Sequence, residues 1–238
     1  MSFKLLGMGD IIKRDRSVIP ACDVGSLKEL ERLVDATCRV EGIGAYKVGF
    51  GLALKYGLPT VCKTIRARTN LPIIYDHQKA ATDIPHTSQL FADVCKEAGV
   101  DAVILFPQAG PETEKAWIDA CKGRGLGVIV GGEMTHPGYK LSEGGWLDDA
   151  SIDRIYVIAR ESGVRDFVVP GNKPERILHY KELLGDCILY SPGLVAQGGE
   201  ISESAKAAGD KWHAIVGRGI YGARDMNAAA KELTKSLL

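Results

Sequence analysis

In the stretch "IIYDHQKAATDIPHT", Asp76, Lys79 and Asp83 follow directly on an apolar run. Two more isolated charges, Asp23 and Lys47, end earlier apolar runs in the same way. Lysines alternating with carboxylates around one pocket hold opposite charges in register with a bound molecule. At about 4 Å and an effective dielectric near 20, each unit-charge pair exchanges roughly 4 kcal/mol. A ligand carboxylate pressed against Asp76 is repelled by a comparable amount, while a carbanion left by loss of CO2 would meet Lys79. That is a physical scheme for cofactor-free decarboxylation.

A second set of residues suits an anion. "SPGLVAQGGE" and "VGRGIYGARD" both follow apolar runs, and both are rich in glycine. Their backbone N–H groups can approach a phosphate closely, and Arg218 can supply a bidentate guanidinium. "EMTHPG" offers the hydroxyl and backbone of Thr135, with Pro137–Gly138 turning the chain. His77 and Gln78 lie beside Asp76, but no second His or carboxylate recurs at ligand spacing, so no metal site is expected.

The elements that must position these residues are short β-branched runs: "SVIPAC", "AYKVGF", "PIIYD", "DAVILF", "GVIVGG", "DFVVPG", "CILYSPG" and "HAIVGR". Helical spacing follows each. In "GSLKELERLVDATC", Ser26 and Glu29 form a capping box, and Leu27, Leu30, Leu33 and Val34 form one apolar stripe. "PETEKAWIDACKGRG" carries acids in its first turn and bases in its last. "NKPERILHYKELLG" places Pro174 in a first turn and Gly185 at the end. Strands without alternation belong to a parallel sheet covered by helices, and eight such units in 238 residues predict one α/β domain over 1–238, a (β/α)8 TIM barrel. In that architecture chemistry gathers at the C-terminal ends of the strands, where Asp23, Lys47, Asp76, Lys79, Thr135, Gln197 and Arg218 fall.

Composition narrows the partners. The 30 basic and 30 acidic residues balance, which gives no reason to expect nucleic acid or an anionic membrane. No apolar run approaches the length of a membrane span, and the N-terminus lacks the apolar core of a signal peptide. Six scattered cysteines without a CxxC pair read as reduced thiols of a cytoplasmic protein.

At "SPGLVAQGG", "VGRGIY", "EMTHPG", "DIPHT" and the isolated Asp23 and Lys47, the sequence resembles the orotidine 5'-phosphate decarboxylase family, in the family's order and over nearly the whole chain. The resemblance implies conversion of orotidine 5'-phosphate to UMP in pyrimidine synthesis by a homodimer, with no metal and no organic cofactor. It also implies residue roles. Asp23 would hydrogen-bond the ribose, Lys47 would bridge a ribose hydroxyl and Asp76, and Lys79 would protonate C6 of the pyrimidine. Asp83, Ile84 and Thr87 would reach into the partner's site, Asp83 and Thr87 contacting ribose. Thr135 would read the pyrimidine ring. Gln197, Gly217 and Arg218 would hold the 5'-phosphate, Pro192 would line the pocket, and the 196–200 segment would belong to a closing loop. Two other readings remain open: a magnesium-dependent phosphosugar decarboxylase or aldolase of the same barrel superfamily, and a UMP-binding relative without turnover.

One departure stands out. The family pattern is D-x-K-x-x-D, whereas this chain reads Asp76-x-x-Lys79-x-x-x-Asp83. On a regular strand a +3 residue faces away from its start. The strand is therefore expected to end at Asp76, with His77–Gln78 bulging or turning to bring Lys79 back.

Overall fold

The computed structural model describes residues 10–235 and residue 237, with the side chain of Lys79 left outside the description. Along the chain run β1 (Arg16–Pro20), α1 (Leu27–Thr37), β2 (Tyr46–Gly49), α2 (Phe50–Tyr56), α3 (Leu58–Arg66), β3 (Ile73–Ala80), α4 (Ser88–Glu97), β4 (Ala102–Leu105) and α5 (Pro111–Gly123). The second half adds β5 (Gly127–Gly131), α6 (Asp149–Glu161), β6 (Asp166–Val168), α7 (Pro174–Leu184), β7 (Ile188–Ser191), α8 (Ile201–Ala208), β8 (Trp212–Val216), α9 (Arg218–Tyr221) and α10 (Met226–Lys235). All eight strands are parallel, in the order β1-β8-β7-β6-β5-β4-β3-β2. Between β1 and β2 the bridges Val18↔Ile43 and Ala21↔Lys47 close the ring. The expected (β/α)8 barrel is what forms, and every strand falls on one of the eight apolar runs.

The barrel works by parity. Alternate residues of each strand enter different apolar clusters: Val18, Tyr46, Val48, Ile73 and Tyr75 pack outward with the helices. Ile19, Ala21, Ala45, Ile74, Ile104, Phe106, Ile129, Tyr190 and Ile215 fill the lumen. Side chains two residues apart share a face. The next inward positions after Ala21, Ala45, Ile74, Tyr190 and Ile215 are therefore Asp23, Lys47, Asp76, Pro192 and Gly217, so the sheet aims these residues into the top of the lumen.

Local signals set the helices. The Glu29 N–H donates to the Ser26 hydroxyl at 3.2 Å, while the Glu29 carboxylate accepts from the Gly25 N–H at 2.9 Å, one residue earlier than an ideal capping box. Leu30, Leu33 and Val34 are fully buried beneath it.

The strand carrying Asp76 does not end there, which corrects the expectation from the sequence. β3 continues to Ala80, and its pairing with β4 jumps from Asp76↔Ile104 to Ala80↔Leu105. Residues 77–79 form a bulge, as the +3 spacing requires. Gln78 takes a left-handed φ of 55°, and Ala81 one of 68°. The ladder resumes because the Phe106 N–H donates to the Ala80 carbonyl at 2.8 Å. The competing effect missed from sequence is that a long bulge preserves the strand pairing beyond it, which a turn would forfeit.

Candidate active site

A cavity of about 260 Å³ opens at the C-terminal ends of the strands. Asp23, Lys47 and Asp76 line it from the first three strands; Thr135, Pro192, Gln197, Gly217 and Arg218 line it from the loops after β5, β7 and β8. Eight of the residues singled out by sequence thus meet in one space.

The charged floor is well defined. Lys47 Nζ donates to Asp76 Oδ2 at 3.0 Å and lies 3.9 Å from Asp23 Oδ1. Lys47 is buried, Asp76 is 15% exposed and Asp23 is 42% exposed. Burial by itself would lower the Lys47 ammonium; the facing Asp76 and Asp23 carboxylates outweigh it and hold the group above its ordinary value. Lys47 is therefore a fixed positive charge, stationed between two carboxylates. Lys79 lies on β3 within the bulge, and the position of its side chain falls outside the described residues.

The sequence alone assigns two lining residues no role in the site. Gln78 is one: its N–H donates to Asp76 Oδ1 at 2.9 Å, and its Oε1 accepts from the Phe50 N–H at 3.3 Å. The bulge thereby orients the Asp76 carboxylate. Glu133 is another. Its side chain is fully enclosed yet ionic: it accepts from Tyr180 Oη at 2.6 Å and Arg176 Nε at 2.7 Å, with Lys140 at 3.2 Å and Lys173 at 3.3 Å. Burial would raise its carboxyl, but the Tyr180 and Arg176 hydrogen bonds with the Arg176 and Lys140 charges override burial and lower it. Parity could have found Glu133, since it continues the inward series 129, 131, 133 beyond β5.

The Thr135 turn rests on this anchor. The Asn172 side-chain amide donates to the Thr135 carbonyl at 3.1 Å, and the Tyr139 hydroxyl donates to the Gly132 carbonyl at 2.7 Å. The glycine loop after β7 fits against it. Gly193 has a φ of +90°, and a Cβ there would stand 2.8 Å from Thr135 Cγ2 and 3.3 Å from Gln197 Oε1. Only glycine meets both demands. The loop then folds on itself, with the Val195 N–H donating to the Gly199 carbonyl at 2.8 Å. Arg218 opens the short α9 directly after Gly217.

Asp83, Ile84 and Thr87 lie elsewhere. Asp83 and Ile84 border a separate surface hollow, where Asp83 Oδ1 accepts from the Ile84 N–H at 2.8 Å. The Thr87 hydroxyl donates to the Ile84 carbonyl at 2.9 Å. None of the three lines the cavity of its own chain.

A parallel (β/α)8 barrel with an alternating charged floor and a glycine–arginine rim at its strand ends has the form of an enzyme site, with chemistry suited to a small anionic ligand. The family model described as "Orotidine 5'-phosphate decarboxylase / HUMPS family" matches residues 16–233, and the chain belongs to that family. Orotidine 5'-phosphate decarboxylase of Methanosarcina mazei is 33% identical over 227 residues, covering 95% of this chain and 97% of the relative. The enzyme of Pyrococcus furiosus is 36% identical over 192 residues, covering 80% and 84%. Among solved structures, orotidine 5'-monophosphate decarboxylase of Methanocaldococcus jannaschii complexed with the inhibitor BMP superposes with a TM-score of 0.83 at 28% identity, covering 93% of this chain and 98% of that one.

Proposed function

We propose that this protein decarboxylates orotidine 5'-phosphate to UMP, in pyrimidine synthesis, using neither a metal nor an organic cofactor. The observation that carries the reading is the Asp23–Lys47–Asp76 array, held at 3.9 and 3.0 Å on the floor of the cavity whose rim presents Gln197, Gly217 and Arg218. The named activity of the relatives supports it.

The phosphate is gripped by the Arg218 guanidinium, the Gly217 backbone and the Gln197 amide, with Pro192 as an apolar wall. Asp23 and Lys47 take ribose hydroxyls, and Thr135 reads the edge of the pyrimidine. This grip pushes the substrate carboxylate toward Asp76, at a cost of roughly 4 kcal/mol for each like-charged pair at about 4 Å. The bond from C6 to the carboxyl carbon breaks, CO2 leaves, and the electron pair stays on C6. The Lys79 ammonium transfers a proton to C6 and recovers one from solvent. Lys47, held charged, keeps the Asp76 carboxylate in place through their 3.0 Å contact.

The working unit is a homodimer, in which Asp83, Ile84 and Thr87 complete the partner's site. Support comes from their position off their own cavity and from the apolar side chains exposed beside them: Ile84 at 57%, Leu90 at 68% and Val94 at 49%. The reaction is placed in the cytoplasm, in keeping with six free thiols. Among the described residues no helix is long and apolar enough to cross a membrane.

The test is the absorbance decay of orotidine 5'-phosphate with wild type and Lys79→Ala, each with and without EDTA. Loss of absorbance by wild type, unaffected by EDTA and absent in the variant, is expected. EDTA-sensitive turnover would point to the magnesium-dependent reading, and UMP binding without turnover to a non-catalytic relative. Either result overturns the proposal.

A further inference from the structure

Beside the catalytic cavity lies a second one, of about 270 Å³, between the start of α5 and α6. The two share the end of β4: Phe106 lines the first, and its neighbour Pro107 lines the second. The walls of the second cavity are mostly apolar, with Pro107, Leu147, Ile152, Ile155 and Ile158, and Gln108, Ser151 and Arg154 add polar groups.

One group there is out of place. Glu114 lines this cavity and is 1% exposed, and its Oε1 has no hydrogen-bond partner among the described residues. Leaving a buried carboxyl oxygen unpaired costs on the order of 1–3 kcal/mol, so such an atom calls for an explanation. Arg154 also lines the cavity but does not bond Glu114 Oε1, and the other nearby donors are committed elsewhere. The Thr113 hydroxyl donates to the Asp83 carbonyl, the Trp117 indole to the Ile84 carbonyl, and the Gln108 amide to the Tyr139 hydroxyl. Lys115 faces solvent, paired with Glu112. Burial pushes the Glu114 carboxyl up to about 8.

We propose that this cavity is a second ligand site, taking a small amino-substituted heteroaromatic whose N–C–NH2 edge pairs with Glu114 while its ring packs on the apolar walls. The walls and the carboxyl together select that class. The apolar walls accommodate a flat ring, whereas an alkylammonium would lose its hydration to a mostly apolar space. The N–C–NH2 edge suits a carboxyl near its midpoint of titration. A protonated Glu114 donates to the ring nitrogen and accepts from the amino group, and an ionised one accepts two hydrogen bonds from the protonated heterocycle.

Calorimetric titration with 2-aminoquinoline, and with 2-methylquinoline as the isostere lacking the donor, tests the site. Wild type and Arg218→Ala are expected to bind 2-aminoquinoline equally, because Arg218 lines only the catalytic cavity. Binding should fall roughly tenfold, about 1.4 kcal/mol, for 2-methylquinoline and for Glu114→Leu, which removes both donor and acceptor. Ile155→Trp, which fills the cavity from a half-buried position, should abolish it, with thermal melts verifying that both variants fold. Should Glu114→Leu fail to fold, Ile155→Trp and the methyl isostere decide alone. Absence of saturable binding, binding lost in Arg218→Ala, or binding unchanged by Ile155→Trp would each overturn the site. The first of these would leave Glu114 satisfied by trapped water.

Discussion

Removing Glu133 should destabilise the barrel far more than removing a surface ion pair of similar length. The side chain is fully enclosed, and its carboxylate faces Arg176, Lys140 and Lys173, which are 21%, 11% and 17% exposed. Alanine there leaves three partly buried cations facing one another across a void, with only Glu143, Asp149 and Asp153 at the margin. Breaking a buried ion pair from one side costs about 3–5 kcal/mol. At roughly 2–4 °C per kcal/mol for a chain of this size, the melting temperature should fall by on the order of 10 °C. The control is Arg165→Ala. Its pair with Asp186 is also short, at 2.8 Å, but 49% and 78% exposed, so less than about 1 kcal/mol is expected. Urea titrations at fixed protein concentration would measure both. The acid limb supplies a second readout through Glu133→Gln. The folded Glu133 carboxyl lies below its ordinary 4.5, so the unfolded chain binds more protons as the pH falls past that value. The stability that ionised Glu133 contributes is thus complete above pH 4.5 and lost as the pH drops through the folded value. The gap between wild type and Glu133→Gln should close over that window. A gap independent of pH, or an alanine variant no weaker than Arg165→Ala, would refute the reasoning.

Gly193→Ala should impair ligand binding more than folding, because its Cβ would press on Thr135 and Gln197 together; an unchanged UMP affinity by calorimetry would contradict this. Leu90→Asp with Val94→Asp, which places charge on the exposed apolar face of α4, should halve the mass found by light scattering and lower turnover at dilute enzyme; a mass unaltered from wild type would dismiss that face as the dimer contact.

The barrel was legible because each strand falls on a short, largely apolar run, and because parity carries that pattern to Asp23, Lys47 and Asp76. What escaped has specific causes. Glu133 sits in the "EMTHPG" motif that drew attention to Thr135, but its cations arrive from positions 140, 173 and 176, a convergence that no local pattern displays. Glu114 was read with Glu112 as an acid of a helical first turn. Its spacing to Trp117, Ile118 and Cys121 places it instead on the buried stripe of α5, while Glu112 stays exposed. The continuation of β3 past Asp76 depends on Gln78 accepting a left-handed conformation, which its residue type does not announce.

The bulge in β3 has a consequence for how this site can change over time. Strand pairing is the same on either side of it, Asp76 with Ile104 and Ala80 with Leu105, whatever happens in residues 77–79. The segment bearing the lysine therefore carries slack that the closure of the barrel never senses. A codon gained or lost there would alter the reach of the motif without breaking the ring, so this position offers length itself as heritable variation, where the other strand ends offer only a change of side chain.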